Sequence, residues 1–168
     1  MNYSRYGNSK IQFEQIPLKT LIEEVREGVI AEEEKKNVVI DLSTNLPEQI
    51  VGNTTQIKQI FQNLIENAIK YNLSEDKKIW IDYQASKQFH NFEISDNGIG
   101  INLQYKEKIF ELFQRLHHSH EFNATGIGLA ICKRIIENHN GTIDVKERTG
   151  GGTVFQFQIK KQLLKTSF

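Results

Sequence analysis

The sequence predicts a two-layer α/β sandwich of the α+β kind: a mixed, mostly antiparallel sheet of about five strands with three main helices on one face. Three observations predict it. Three stretches carry apolar residues at helical spacing. Most of the strand-like stretches between them come in pairs joined by turns, so the steady strand–helix alternation of a doubly wound fold is missing. Finally, Asn97 to Ala124 is a long excursion of the sort that a compact domain keeps for function.

Taken in order, Met1 to Phe13 is polar and without a clear period, and reads as a tail or linker. In "PLKTLIEEVREGVIAEEEKKN", Leu18, Leu21, Ile22, Val25 and Val29 recur on one helical face, and Pro17 suits the first turn. "VVIDLS" is a short strand, and "NLPEQIVGN" a turn region with a brief extended piece. "TTQIKQIFQNLIENAIKYN" is the second helix, capped by Asn53 or Thr54, with Ile57, Ile60, Phe61, Leu64, Ile65 and Ala68 as its core stripe. "KKIWIDYQASKQFHNFEISDNG" reads as two strands around a turn, because Ile79, Ile81 and Tyr83 alternate and Phe92 and Ile94 do so again. The long excursion holds one helical piece around "KEKIFELFQRL". "GIGLAICKRIIENHN" is the third helix, ended by Gly141, and "GTIDVKER" with "GGTVFQFQIK" forms a closing hairpin across glycines.

Bulk properties set bounds. A chain of 168 residues suits one domain with a real core. Its formal net charge is zero, which excludes a global field that draws it to nucleic acid or to a membrane surface. No apolar run reaches the length of a membrane span, and no secretory leader opens the chain. The single cysteine, Cys132, cannot form an internal disulfide and fits a reducing, cytoplasmic setting. It falls with Leu129, Ile135 and Ile136 and reads as a small core residue rather than a reactive thiol. Of the five histidines, three make "HHSH", His117 to His120. No cysteine or acidic cluster completes a tetrahedral ligand set there, so a solvated loop tip is the better reading.

Four elements carry chemistry. On the second helix Asn63, Asn67 and Lys70 fall at i, i+4 and i+7, a narrow stripe apart from the core face. An amide oxygen is a hard neutral ligand for Mg²⁺ and an ammonium suits a phosphate oxygen, yet taken alone this stripe reads better as a solvated helix edge. "SDNGIG" follows a strand: Asp96 offers an acceptor for an exocyclic amino group, and Gly98 and Gly100 permit close approach of a flat ligand, although alone they make a turn. "TGIGLAI" opens a helix, where Gly126 and Gly128 expose N–H groups at the positive end of the dipole, or form a flexible junction. "GGGT", Gly150 to Thr153, is explained by hairpin geometry.

Their joint order is more specific than any one of them. "NLIENAIKYN", "DNGIGI", "IFELFQRLH", "TGIGLAICKRIIENHNGTIDV" and "GGGTVFQF" resemble the asparagine, first glycine, phenylalanine, second glycine and third glycine boxes of sensor histidine kinases. The resemblance runs from Ile16 to Ile159, and the leader "SKIQFEQIPLKTLIEEV" is similar to the junction after the dimerisation helices in that family. It implies the Bergerat-type ATP-binding fold, with residues 1–13 as a linker remnant, 14–168 as the catalytic domain and a lid over about 99–125. By position it implies Asn67 as the Mg²⁺ ligand with Asn63 beside it, Lys70 at the phosphates and Tyr71 near the base or ribose. Asp96 is similar to the acid that reads the adenine amino group, with Gly98, Gly100 and Ile101 forming that wall and Thr153 beneath it. Phe110 and Phe113 resemble lid aromatics, and Arg115 a lid contact to the terminal phosphates. Thr125, Gly126, Ile127, Gly128 and Leu129 resemble the phosphate-cradling junction.

The implied cofactors are ATP and Mg²⁺. The implied partners are a dimerisation and phospho-acceptor domain, with a response regulator acting indirectly. Neither nucleic acid nor direct membrane contact is expected. The isolated domain is expected to be a monomer and its parent, whether membrane-anchored or soluble, a homodimer. No segment resembles the acceptor histidine box, so no acid or base for catalysis is expected in this chain. Two departures stand out: Ala124 where the family has glycine, at the end of the lid, and Asn53 where it often has aspartate. The related ATP hydrolases carry a water-activating glutamate where this chain has Asn63, and Glu66 lies off the stripe, so the kinase is favoured over the hydrolase. A non-catalytic nucleotide sensor would have lost magnesium or adenine groups, and this sequence keeps them.

Overall fold

The computed structural model describes residues 12–30, 37–111 and 127–162. In chain order the elements are β1 (Glu14–Pro17), α1 (Leu18–Val29), β2 (Val38–Leu42), β3 (Gln49–Gly52), α2 (Thr54–Lys70), β4 (Lys77–Ala85), β5 (Phe89–Asp96), α3 (Gly128–Asn138), β6 (Thr142–Glu147) and β7 (Thr153–Lys160). Two short 3-10 turns, Leu103–Tyr105 and Lys108–Phe110, follow β5; the second falls within the expected helical piece, the rest of which, from residue 112, lies outside the described residues. The main sheet has five strands in the order β2-β4-β5-β7-β6. Only β2 runs parallel to its neighbour, β4, so the sheet is mixed and mostly antiparallel.

Strand alternation builds the two faces. Ile79, Ile81, Phe92, Ile94, Phe155 and Phe157 point one way and are buried. Their neighbours Asp82, Glu93 and Gln156 point the other way and face solvent to varying degrees. The buried face receives α2, whose expected stripe of Ile57, Ile60, Phe61, Leu64, Ile65 and Ala68 is buried throughout. Phe61 meets Phe92 edge-on at 5.6 Å and Phe157 at 5.8 Å, and Phe92 stacks on Phe157 at 5.0 Å. Removing a ring from such a cluster costs about 3–5 kcal/mol. Helix α1 packs on α2 through Leu18, Leu21, Ile22 and Val25.

The "EQIVGN" stretch is more than a turn. Its β3 pairs antiparallel with β1, Ile16 opposite Ile50, in a second sheet of two strands. The expected brief extended piece is β3; β1 and the pairing are missed because each strand is only four residues long. Asn53, rather than Thr54, caps α2: its side-chain oxygen accepts the Gln56 N–H at 3.0 Å. The end of α3 also differs in detail. The left-handed residue is Asn140 (φ 52°), not Gly141. Gly141 is needed for space, since a Cβ there would lie 1.7 Å from the Gln158 carbonyl oxygen.

His139 ties these parts together. It is fully buried, its Nε2 accepts the Asn53 backbone N–H at 3.2 Å, and its Nδ1 lies 2.9 Å from the Ile135 carbonyl. Those partners require the neutral tautomer with the proton on Nδ1. The ring edge of Phe13 rests on it at 5.2 Å. Burial lowers the His139 pKa from 6.5, partly offset by the Ile135 carbonyl, and burial with Lys161 pushes His90 down to about 4. Both folded-state values lie below the unfolded one. Stability is therefore full above pH 6.5 and falls on acidification, as the unfolded chain takes up protons that the folded chain refuses. His139→Gln, which keeps an acceptor for Asn53 but cannot titrate, should lose part of this acid sensitivity. Urea midpoints at about pH 8 and about pH 5 test it, and an unchanged difference between the two would contradict the assignment.

Candidate functional site

Asp96 ends β5, and the chain turns sharply after it. The carboxylate is 6% exposed, and its Oδ1 accepts the Gly98 N–H at 2.8 Å and the Thr153 N–H at 3.3 Å. Burial raises the pKa of this carboxyl, while those two N–H groups and Arg148 pull it down. A buried acceptor aligned by two backbone donors has one fixed direction, which suits a ligand N–H such as an exocyclic amino group.

Glycines bring backbone close around it. A Cβ on Gly98 would stand 2.4 Å from the Tyr71 carbonyl oxygen and 2.9 Å from Asp96 Oδ1. Gly100 has φ +78° and lies over Gly152. Gly150, Gly151 and Gly152 all have positive φ, and a Cβ on Gly152 would lie 1.9 Å from the Asp96 carbonyl oxygen. The "GGGT" stretch is thus more than a hairpin. It packs the start of β7 directly beneath Asp96, which positions the Thr153 N–H. Sequence reasoning missed Gly152; the signal was a third consecutive glycine where a two-residue turn needs fewer.

Tyr71 caps the C-terminal end of α2, and its carbonyl accepts the Ile99 N–H at 3.0 Å. The turn after Asp96 and the end of α2 therefore touch. Asn67 is half-buried one turn before that end. Asn63 is 8% exposed rather than solvated. Its Nδ2 donates to the Gly128 carbonyl at 3.0 Å and its Oδ1 accepts from Gln59 at 3.3 Å, so it joins α2 to the first turn of α3. Lys70 is half-buried and lines a shallow hollow of about 480 Å³ with Val29, Glu66, Ile69 and Lys77. Ile101, Ile127, Gly128 and Leu129 are half-buried, and Phe110 is buried, its ring 6.4 Å from Phe155. Phe113, Arg115, Ala124, Thr125, Gly126 and the "HHSH" stretch lie outside the described residues. Cys132 is wholly buried, its pKa pushed up to about 12 by desolvation, as befits a core residue.

The donor set fits a purine nucleotide: a buried, oriented carboxylate beside glycine backbone that a side chain would obstruct. Among the described residues no group of three His, Cys, Asp or Glu could hold a metal alone. A cation here would need an amide oxygen supplemented by a ligand's own oxygens. A separate hollow of about 680 Å³ over β4, β5, β7 and β6, lined by Asp82, Gln84, Asn91, Glu93, Asp144 and Gln156 among others, contains none of these residues.

Comparison with known proteins accords with this geometry. Residues 52–163, more than half of the chain, match the family described as histidine kinase-, DNA gyrase B- and HSP90-like ATPase, and the chain belongs to it. Its relatives include phytochromes and a sensory kinase. It is 47% identical over 114 residues to cyanobacterial phytochrome A of Nostoc sp. (strain PCC 7120), covering 68% of this chain and 15% of that protein. It is 33% identical over 152 residues to the adaptive-response sensory kinase SasA of Thermosynechococcus vestitus, covering 89% of this chain and 40% of that one. The catalytic domain of histidine kinase ThkA superposes with a TM-score of 0.76 at 33% identity, covering 89% of this chain and 98% of that chain. The chain is thus a histidine-kinase-type ATP-binding catalytic domain, and it spans a minor part of the length of the curated relatives it matches.

The glycine geometry separates two kinds of cost. Gly151→Ala meets open space but keeps a left-handed φ, and should cost about 1–2 kcal/mol. Gly152→Ala adds a collision with the Asp96 carbonyl and should cost more than about 4 kcal/mol, or prevent folding. Denaturant unfolding of the two variants side by side checks the order.

Proposed function

We propose that this chain binds Mg-ATP and presents the γ-phosphate to a histidine on a dimerisation domain of a two-component sensor kinase. The observation that carries the reading is the Asp96 carboxylate at the end of β5, buried and aligned by Gly98 and Thr153, in a turn that touches the end of the helix bearing Asn67. Asp96 takes the adenine amino group, with Gly98, Gly100, Ile101 and Tyr71 forming the slot. Asn67 is the protein's ligand to Mg²⁺, with Asn63 as a second amide at the same edge. Lys70 and Arg115 serve as cations for the phosphates, and Phe110 and Phe113 anchor the lid. Thr125 to Leu129 offer backbone N–H groups to the phosphates at the start of α3.

The acceptor imidazole forms its N–P bond as the bond from the γ-phosphorus to the bridging oxygen breaks, and ADP leaves. Mg²⁺, when bound, neutralises charge that develops on the phosphate oxygens. This chain's residues bind, orient and exclude water. A hydrolase needs a base beside the attacking water, and the Asn63 amide cannot accept a proton. Residues 1–13 would lead from the dimerisation helices, the domain proper would begin at Glu14, and the domain would work in the cytoplasm. That the histidine kinase ThkA has been solved with the response regulator TrrA supports a regulator as the next partner.

Calorimetry with ATP and excess Mg²⁺ should show binding by the isolated chain. Asn67→Ala should remove most of the Mg²⁺-dependent gain, and Asp96→Asn should weaken ATP by about tenfold with little effect on tripolyphosphate. With radiolabelled ATP and the cognate dimerisation domain, label should appear on that domain's histidine. Free phosphate without protein label would overturn the kinase reading in favour of hydrolysis.

A further inference from the structure

Beneath the Asp96 turn lies a pair of amides that none of the roles above employs. At the end of β5 the ladder with β4 places Asp96 opposite Ile79, and one step further Asn97 meets Lys78. The Asn97 backbone N–H donates to the Lys78 carbonyl at 3.2 Å, as a ladder residue does. The return bond is different: the Lys78 N–H donates to the Asn97 side-chain Oδ1 at 2.7 Å. The Asn97 carbonyl is turned aside and accepts from the Ser74 hydroxyl at 3.3 Å. The side chain thus takes the carbonyl's place in the ladder, and the main chain is released to turn immediately after Asp96.

Asn72 clasps that side chain. It is 3% exposed, and its Nδ2 donates to the same Asn97 Oδ1 at 2.8 Å while its own Oδ1 accepts the Ser74 N–H at 3.0 Å. The Asn97 Nδ2 donates to the Asp76 carbonyl at 3.0 Å. Asn72 follows Tyr71, the cap of α2, and Asn97 follows Asp96. The pair therefore joins the end of the helix that carries Asn67 and Lys70 to the turn that carries the carboxylate. The Gly98 N–H, which aims Asp96 Oδ1, lies one residue beyond Asn97 and moves with it.

We propose that Asn97, clasped by Asn72, is a positioning residue for adenine recognition: it holds the Gly98 N–H, and through it the Asp96 carboxylate, in register with α2. The proposal rests on the nucleotide reading above and adds the source of its base selectivity. Loss of the clasp leaves the phosphate groups on α2 and α3 in place and frees the carboxylate's aim, so discrimination between bases falls while phosphate affinity does not.

The test compares ATP with purine riboside triphosphate, which lacks the 6-amino group, by calorimetry with Mg²⁺ on the intact chain. Wild type should prefer ATP. In Asn97→Ala that preference should fall by about tenfold, with tripolyphosphate affinity unchanged. Asn72→Ala should lower it less, and the double variant no further than Asn97→Ala, because the two residues act through one bond network. Should Asn97→Ala fail to fold, Asn72→Thr, which keeps an oxygen for the Ser74 N–H, makes the same cut from the other side. A preference unchanged in a folded variant, or equal weakening of both triphosphates, overturns the proposal. A wild type that binds neither triphosphate overturns the nucleotide reading itself.

Discussion

The contact on which the rest depends is that of Phe61 with Phe92 and Phe157. It presses α2 against the centre of the sheet, where β5 and β7 lie side by side. Once that face is buried, Asn63 on the neighbouring edge of α2 meets the Gly128 carbonyl at the start of α3. The apolar stripe thus does two things at once. It removes hydrocarbon from water, which stabilises the fold, and it sets the rotation of the helix, which aims Asn63 and Asn67.

Around that helix the site is built mainly from backbone. Asp96 is aligned by two N–H groups, Gly98 abuts the Tyr71 carbonyl, and Gly152 abuts the Asp96 carbonyl. Backbone donors have little rotational freedom, so a carboxylate held by them reorganises little when a ligand arrives. The cost is paid in conformational strain, three successive residues with positive φ from Gly150 to Gly152, which only glycine tolerates easily. Asn63 shows the same economy: in this structure its amide joins α2 to the Gly128 carbonyl, so the start of α3 is registered against the helix that precedes it by an entire strand pair.

Charge is used locally rather than globally. The chain has no net charge to create a long-range field, so its electrostatics act through short-range groups such as those around Asp96. The buried His139 is kept neutral by its partners. It holds the cap of α2, the end of α3 and the leader at Phe13 in one contact. The two-stranded β1–β3 sheet lies at that same junction, since β3 runs directly into Asn53.

The helices, the paired strands and the order of the glycine elements could be read from the chain alone. These are local or periodic properties: the stripe from Ile57 to Ala68, the alternation through Ile79 and Ile81, and a cap at Asn53 or Thr54 each act within a few residues. The turn at Asp96 and Gly98 was legible because the two residues meet across a single intervening position. The β1–β3 pairing, the burial of Asn63 against Gly128, the collision space at Gly152 and Gly141, and the Asn72–Asn97 clasp emerge only from the packed molecule. Each joins residues far apart in the chain, through a short ladder, a hydrogen bond or a sub-contact distance. Periodicity records which face of an element is buried, not which atom of a distant element it meets.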